Sequence, residues 1–254
     1  MKYFGVKSLY KYKKIDKKFI EVLKSKSIYV PVIEQLNDPF ENSIYLSTSE
    51  YDQKVYFELL NEIKKISNID IKNNSINYLN KLLMNKEINI NDIEMLKSKK
   101  EKLFRNLAKK VGVVSFSSEN DSLLLWSHYA DSHRGICIEF DRNENNILGD
   151  DKSCFPVQYS SFIKDIEISN NDIIYSEYFR YKCDIWDYEK EWRLLTPEGR
   201  TIIKLPGEIK KVYFGLETSD ENIKDIIKIL GYSIKYYKAK KVDNQYKIRF
   251  SEIE

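Results

Sequence analysis

The sequence contains few of the side chains that usually bind metals. Among 254 residues there are 3 cysteines and 2 histidines. The cysteines lie far apart without a CxxC pair, and His128 and His133 are too few to complete a zinc site of four ligands. We therefore expect no structural metal, and free thiols in a reducing compartment at Cys137, Cys154 and Cys183.

Long apolar segments and familiar catalytic loops are also missing. No run approaches the roughly 18 apolar residues of a membrane helix, and residues 1–5 lack the apolar core of a signal peptide. There is no GxGxxG or GxxxxGK(S/T) phosphate loop, no HExxH and no GxSxG. These absences predict a cytoplasmic protein without a membrane partner, and they argue against P-loop enzymes, HExxH metalloproteases and serine hydrolases.

Proline and glycine are scarce, whereas aromatic and charged residues are abundant. With 5 prolines and 8 glycines, no Pro/Gly-rich linker or internal repeat marks a boundary, so residues 1–254 are predicted to form one domain. The chain has 19 Tyr and 12 Phe, which is enough apolar surface for a core. Its net charge of +3 is a small difference between 42 basic and 39 acidic residues. This balance neither requires nor excludes nucleic acid.

Hydrophobic periodicity predicts an α+β fold. Residues 9–12 and 28–32 are predicted as strands on either side of a helix capped by Asp16. Residues 50–110 have apolar positions spaced by three and four, which predicts a helical insertion with a solvated, lysine-rich face. The remaining elements indicate a largely antiparallel mixed sheet. Strands are expected at 112–117, 136–140, near 157, 189–195, 202–205, 212–214, 234–237 and 246–250, and helices at 121–129, 171–181 and 219–230.

Three short segments carry most of the candidate site residues, and the first runs from Asn37 to Glu41. Asp38 before Pro39 suits a turn that begins a helix, with Asp38 as its cap and Glu41 closing a capping box. The same side chains could instead contact a ligand. The sequence leaves both interpretations open.

The second segment, Leu125 to Ala130, is followed closely by Arg134. It contains Trp126, His128 and Tyr129. An imidazole and a guanidinium need polar partners wherever they are buried, so part of this set is expected to line a cleft. A Trp or Tyr taken alone is more often part of the core than a stacking surface.

The third segment covers residues 188–193, with Lys182 and Trp186 just before it. If it is a strand, Glu189, Glu191 and Arg193 project from one face, because side chains alternate along a strand. Such a row is either the solvated face of the strand or the wall of a cleft in which Arg193 keeps a carboxylate ionised.

Together the segments resemble a mostly bacterial family that is catalogued as a domain of unknown function. The resemblance rests on the opening strand at 9–12, the NDPFE block at 37–41 and the stretch from WSHY through RG to EF at 126–140. It also rests on Trp186 and the YEKEWR segment that follows it.

A more distant resemblance is to ADP-ribosyltransferases of the DNA-modifying toxin type, because Glu189-Lys190-Glu191 is similar to their E-x-E element. It implies split sheets and an enzyme that cleaves NAD and transfers ADP-ribose to a nucleic acid or protein, as a toxin or phage-defence effector with an antitoxin or immunity partner. Glu191, together with Glu189, would then stabilise an oxocarbenium-like ribose. Lys11 or Tyr10 stands where many transferases have Arg or His. The resemblance implies ligand contacts from Tyr10, Lys11, Tyr12, Asn37, Asp38, Trp126, His128, Tyr129 and Arg193.

Two other functions fit the same residues. One is a non-catalytic nucleotide-sensing or interaction module that uses the same cleft. The other is a metal-dependent nucleic-acid enzyme in which Asp38, Glu41, Glu189 and Glu191 surround Mg²⁺. Clustered carboxyl groups from both segments would favour the metal, whereas a glutamate facing an aromatic-lined slot would favour nucleotide chemistry.

Overall fold

The computed structural model describes residues 3, 5–38, 40, 44–47, 102, 105, 106, 108–167 and 177–253. Its α-helices are α1 Lys17–Lys24, α2 Leu123–Tyr129 and α3 Asp220–Leu230, and 3-10 helices span Ile33–Gln35, Ile147–Gly149 and Asp184–Glu189. The strands are β1 Ser8–Lys13, β2 Ser27–Val30, β3 Ile44–Ser47, β4 Gly112–Ser117, β5 Ile136–Asp141, β6 Cys154–Pro156, β7 Gln158–Ser160, β8 Lys164–Glu167, β9 Tyr181–Cys183, β10 Glu191–Thr196, β11 Thr201–Lys204, β12 Ile209–Phe214, β13 Lys235–Lys241 and β14 Ile248–Glu252.

Eight strands form one large sheet in the order β14-β13-β12-β5-β1-β4-β10-β6. Its neighbours are antiparallel except for β12 and β13, which are parallel. Three further pairs lie outside it: β2 with β11 is antiparallel, and β3 with β8 and β7 with β9 are parallel. The predicted α+β class with a largely antiparallel mixed sheet is confirmed.

The large sheet opens between β1 and β4. β1 pairs with β5 along all six of its residues, and β4 pairs with β10 along all six of its own. The register between β1 and β4 is a single pair, Tyr10 with Ser117. At its far end β4 instead meets the segment after β2, where Val32 bridges Gly112 and the Pro31 carbonyl accepts a hydrogen bond. The gap between β1 and β4 is therefore closed at one end only.

Apolar side chains cover both faces of the large sheet. On one face, Leu9 and Phe116 pack in a cluster with Leu23 of α1 and with residues of α3. On the other face, Tyr12 packs in a second cluster with Trp126 of α2. Because successive strand residues point to opposite faces, β1 contributes to both clusters.

The helix caps agree with the sequence analysis. The Asp16 carboxylate accepts a 2.9 Å hydrogen bond from the Phe19 N–H at the start of α1. At the start of α2 the cap is Ser122, whose hydroxyl accepts from the Leu125 N–H. The helix predicted at 171–181 is confirmed at residues 177–178 but ends before Tyr181, which begins β9 and pairs with β7. Residues 168–176 lie outside the described part of the chain.

Two compact units are present. One contains the large sheet and comprises Met1–Asn42, Lys110–Phe162 and Phe179–Glu254. The other comprises Ser43–Lys109 and Ile163–Tyr178 and contains β3 and β8. The helical insertion expected at 50–110 lies almost wholly outside the described residues, and the single domain stays a prediction. Among the helices of the described residues, none has both the length and the apolar character to cross a membrane.

A tight left-handed turn connects α2 to β5. Residues 131–133 have φ values of 50°, 51° and 66°, a region that costs a non-glycine residue about 1–2 kcal/mol. Backbone hydrogen bonds hold the turn: His133 N–H donates to the Trp126 carbonyl at 3.1 Å, and Gly135 N–H donates to the Ala130 carbonyl at 2.7 Å. The chain direction therefore reverses within this turn, between the end of α2, which contains His128, and the start of β5.

Gly135→Ala should disrupt this connection. A Cβ atom at Gly135 would lie 2.2 Å from the Lys13 carbonyl oxygen and 2.9 Å from the Ala130 carbonyl oxygen. Because backbone atoms cannot rotate away, we expect a loss of about 3 kcal/mol in the free energy of unfolding, measured by urea denaturation. The matched control is Gly5→Ala, since a Cβ there meets nothing within 4 Å. Equal unfolding midpoints for the two variants would contradict the close packing of this turn.

Candidate active site

A cavity of about 420 Å³ lies where β1 and β4 part. Its walls come from β1, β4, α2, the segment after β2, and the end of the 3-10 helix Asp184–Glu189 together with β9 and β10. Its volume is in the range of about 300–1,000 Å³ that holds small molecules and cofactors. Residues from all three candidate segments line it. The predicted residues that do so are Tyr10, Lys11, Tyr12, Asn37, His128, Tyr129, Glu189 and Glu191.

Glu189 and Glu191 reach this cavity through a turn. Glu189 ends the 3-10 helix, β10 begins at Glu191, and Lys190 between them has φ 44° and ψ 48°. The predicted strand from Glu189 is therefore wrong at its first two residues. The left-handed Lys190 nevertheless leaves both carboxylates in the same cavity. The Ser117 hydroxyl holds the turn by donating to the Glu189 carbonyl at 2.7 Å.

The Glu191 carboxylate is hydrogen-bonded by the side chain of Arg193. The guanidinium donates from Nε to Oε1 and from Nη2 to Oε2, both at 3.1 Å, which is the bidentate geometry that suits a carboxylate. A third guanidinium donor, Nη1, bonds the Phe179 carbonyl at 2.8 Å. Lys182 Nζ donates to Glu191 Oε2 at 3.1 Å. The Ser115 hydroxyl is a further hydrogen-bond partner of this carboxylate.

These contacts determine the charge of Glu191. Burial by itself would raise the pKa of this carboxyl group, but the positive charges of Arg193 and Lys182 and the hydrogen bonds outweigh it and lower the pKa to about 2. Glu191 is therefore ionised throughout the neutral range, although it is only 4% exposed. A buried charge kept ionised by an arginine is the arrangement that the cleft interpretation of this segment predicted.

Glu189 joins the three segments through hydrogen bonds. Lys182 Nζ donates to its Oε2 at 2.6 Å, and the Tyr129 hydroxyl donates to its Oε1 at 2.5 Å. The Asn37 amide in turn donates to the Tyr129 hydroxyl oxygen at 3.0 Å. Burial and the neighbouring Glu189 both raise the pKa of Tyr129, so its hydroxyl keeps the proton that it donates.

Lys11 spans the gap in the sheet. Its ammonium group donates to the Ser115 carbonyl of β4, a backbone group that β1 leaves unpaired where the strands part. Burial, with a smaller contribution from Lys13, lowers the pKa of Lys11 to about 7. Burial also lowers the pKa of Lys13. The cavity thus holds amines that take up a proton readily when an anion approaches.

Trp126 is part of the core and does not line the cavity. Its side chain is fully buried, packs edge-on against Tyr12 with a centroid distance of 5.3 Å, and donates from Nε1 to the Asn120 carbonyl at 2.8 Å. This position does not support the predicted contact of Trp126 with a ligand. Its neighbour His128, on the exposed side of α2, lines the cavity as predicted.

Three other polar residues lie away from the cavity lining. Asp38 is buried, and its Oδ1 accepts a 2.9 Å hydrogen bond from the Phe40 N–H, as in the turn interpretation of its segment. Arg193 is fully buried and acts through Glu191, so the predicted direct contact of either residue with a ligand is not supported. Arg134 is exposed and pairs with Asp131 at 3.1 Å.

Lys182, Ser115 and Ser117 are cavity residues that the sequence analysis did not assign. The two serines had a signal, because they occupy alternate positions of the otherwise apolar strand GVVSFS and therefore share a face. No comparable sequence pattern indicated Lys182. It lies on the short strand β9, where it is set opposite Tyr159 of β7.

Comparison with known proteins adds a family. Residues 125–194 match the model of a protein family of unknown function, DUF2971. The match confirms the expected resemblance to an uncharacterised domain family, and it covers residues 125–129 of α2, the whole of β5 and both cavity glutamates. No curated protein and no solved structure matches the chain.

A metal centre has limited support from the described residues. Within the described ranges, no group of three or more His, Cys, Asp and Glu side chains is arranged to hold a metal ion. The metal-dependent alternative required Asp38 beside the two cavity glutamates, but Asp38 does not line the cavity. Glu41, its fourth proposed ligand, lies outside the described residues.

Proposed function

We propose that this cavity binds a nicotinamide dinucleotide and that the protein is an ADP-ribosyltransferase-like enzyme, which transfers ADP-ribose to a nucleic acid or protein. The observation that carries the proposal is the pair of buried glutamates, Glu189 and Glu191, in the lining of a cavity that tyrosines and lysines also line. A role as a toxin or phage-defence effector in the cytoplasm is part of the same proposal.

The carboxylates suit the chemistry of this bond. When the bond between nicotinamide and ribose breaks, the electron pair leaves with nicotinamide and positive charge develops on the ribose. Carboxylates that are already oriented stabilise this charge without rearrangement. A nucleophilic atom of the acceptor then bonds to ribose C1 and loses its proton to solvent, which leaves free nicotinamide and the modified acceptor as products. Glu191 is held ionised by Arg193 and Lys182 before any substrate arrives.

Positive charge around the cavity favours an anionic ligand. Lys11, Lys13 and Lys182 line it, whereas Glu189 and Glu191 are its acidic lining residues. Lysines therefore outnumber carboxylates in the lining, and an anion that binds there favours the charged form of Lys11, whose pKa burial lowers to about 7. Lysine ammonium groups bind phosphates as point charges. The diphosphate of a dinucleotide fits the lysine side of such a cavity, and its ribose fits the glutamate side.

Aromatic rings provide surfaces for a planar group. Tyr10, Tyr12, His128 and Tyr129 all line the cavity. His128 and Tyr129 lie with their ring centroids 6.4 Å apart. Rings of this kind pack on planar heterocycles such as nicotinamide or adenine while their polar atoms bond to water or ligand.

The position of the cavity in the sheet agrees with the distant resemblance. Transferases of this type have a dinucleotide contact on an opening strand and a glutamate on a later strand. Here β1 and β10 flank β4 on opposite sides, and residues of all three strands line the cavity. The gap between β1 and β4 provides the space for a ligand between the residues of β1 and the glutamate of β10.

The proposal is tested with NAD that carries one label in nicotinamide and another in adenine. Purified protein is incubated with this NAD alone, with single- or double-stranded nucleic acid, or with cell lysate. We expect nicotinamide release together with adenine label on a macromolecule. Asp187→Asn is the matched control, because Asp187 is an exposed carboxylate close to Glu189 in sequence and pairs with Lys190. Its rate should stay within about twofold of the wild-type rate.

Two results would contradict the enzyme. One is the absence of both nicotinamide release and labelled acceptor. The other is saturable binding of NAD that is recovered unchanged, which would favour the nucleotide-sensing module instead.

A further inference from the structure

The two cavity glutamates differ in how many of their acceptor positions are filled. An ionised carboxylate offers about four positions for hydrogen bonds. Glu191 receives two bonds from Arg193, one from Lys182 and one from the Ser115 hydroxyl. Among the described residues, Glu189 receives one from Lys182 and one from Tyr129. Glu191 therefore has its acceptor positions occupied, while about half of those on Glu189 stay open.

From this difference we infer that Glu189 is the catalytic carboxylate, which contacts the ribose hydroxyls of the substrate, and that Glu191 is a positioning residue. The inference rests on the proposed function and assigns roles within that site. It reverses the order that the E-x-E resemblance implies, in which the second glutamate is the essential one.

Glu189 is well fixed for such a contact. Tyr129 holds one of its carboxylate oxygens and Lys182 holds the other, while Ser117 bonds its backbone carbonyl. Its side chain is 6% exposed and lines the cavity. Little side-chain freedom is then lost when a ligand binds, which favours contacts made in the transition state.

The open positions of Glu189 select the chemistry of the group that binds there. A carboxylate can only accept hydrogen bonds, so the ligand must present a hydroxyl or an N–H. An ionised phosphate is itself an acceptor and offers no such donor. The ribose hydroxyls of a dinucleotide meet this requirement and its diphosphate does not.

Glu191 has a different task, which follows from its partners. It binds Arg193, which also ties β10 to the Phe179 carbonyl, and it shares Lys182 with Glu189. Lys182 Nζ lies 3.1 Å from Glu191 Oε2 and 2.6 Å from Glu189 Oε2. Glu191 therefore fixes the ammonium group that orients the Glu189 carboxylate. Glu191 thereby acts on the substrate through Lys182.

Paired aspartate variants separate the two roles. Glu189→Asp and Glu191→Asp each keep the charge and withdraw the carboxylate by one methylene. Displacement of a contacting group by about 1 Å costs about 100-fold in rate. In the nicotinamide-release assay, we therefore expect kcat to fall about 100-fold for Glu189→Asp and less than tenfold for Glu191→Asp. The melting temperature should change in the opposite order, with Glu191→Asp the less stable variant. Asp187→Glu serves as the control.

The outcomes distinguish the role assignment from the function itself. No nicotinamide release by the wild type overturns both. Release by the wild type, with kcat for Glu191→Asp as low as or lower than for Glu189→Asp, overturns the assignment alone. If Glu191→Asp does not fold, Tyr129→Phe replaces it, because this change removes one bond to Glu189 without burying a charge. A tenfold or greater loss of kcat at an unchanged melting temperature supports the assignment, and an unchanged kcat overturns it.

Discussion

Glu191→Gln should lower the free energy of unfolding by about 3–5 kcal/mol at pH 7. The reason is that removing one charge of a buried ion pair leaves the other charge buried and unpaired. Here the group left behind is Arg193, whose side chain is fully buried. Urea denaturation at pH 7 measures the loss. Asp187→Asn is the matched control, because its pair with Lys190 is exposed and contributes about 0–1 kcal/mol.

This loss should depend on pH in a defined direction. The pKa of Glu191 is lowered from 4.5 to about 2 in the folded protein, so ionisation of Glu191 stabilises the fold fully above about pH 4.5. The contribution disappears as the pH falls from there towards 2. The difference between wild type and Glu191→Gln should therefore be smaller at pH 3 than at pH 7. A difference that is constant with pH would contradict an ionised, paired Glu191.

Arg193→Met should be at least as destabilising as Glu191→Gln. Methionine replaces the apolar stem of the arginine but none of its donors. The change removes both bonds to Glu191 and the bond to the Phe179 carbonyl, all in a buried setting. We expect a loss of about 3–5 kcal/mol in the free energy of unfolding. Arg134→Met is the control, because Arg134 is exposed and its partner Asp131 is exposed as well.

A double variant tests whether Glu191 and Arg193 stabilise each other. The double variant Glu191→Gln, Arg193→Met removes both charges, so it leaves no uncompensated guanidinium opposite the lost carboxylate. Its loss of stability should be smaller than the sum of the two single losses by about 1–3 kcal/mol. Additive losses would show that Arg193 and Glu191 do not stabilise each other.

Local patterns allowed much of the fold to be predicted. The short, mostly apolar run GVVSFS predicted β4 with its bounds, and Asp16 before an amphipathic stretch predicted α1. Both signals lie within a few residues of the elements that they predict. The opening between β1 and β4 has no such signal, because it depends on which strands pair over a separation of about 100 residues in the chain.

The candidate site was predicted in its residue types and less well in its geometry. The sequence predicts a strand conformation for Lys190, since nothing in a lysine signals the left-handed conformation that it adopts. Trp126 is an aromatic residue of the kind that can line a cavity, but it is buried in the core. Its burial cannot be read from the sequence alone. Lys182 joins the site only through the pairing of β9 with β7.

The central claim is that a dinucleotide binds in the cavity at the sheet opening and contacts Glu189. The most direct measurement is NMR of protein labelled with ¹³C at the glutamate carboxyl carbons, with the Glu189 signal assigned from the Glu189→Gln spectrum. On titration with NAD, the Glu189 signal should shift saturably, while the signal of Glu34, which is paired on the surface with Arg200, should not move. An unchanged Glu189 signal at saturating NAD, or shifts confined to surface glutamates, would contradict the claim.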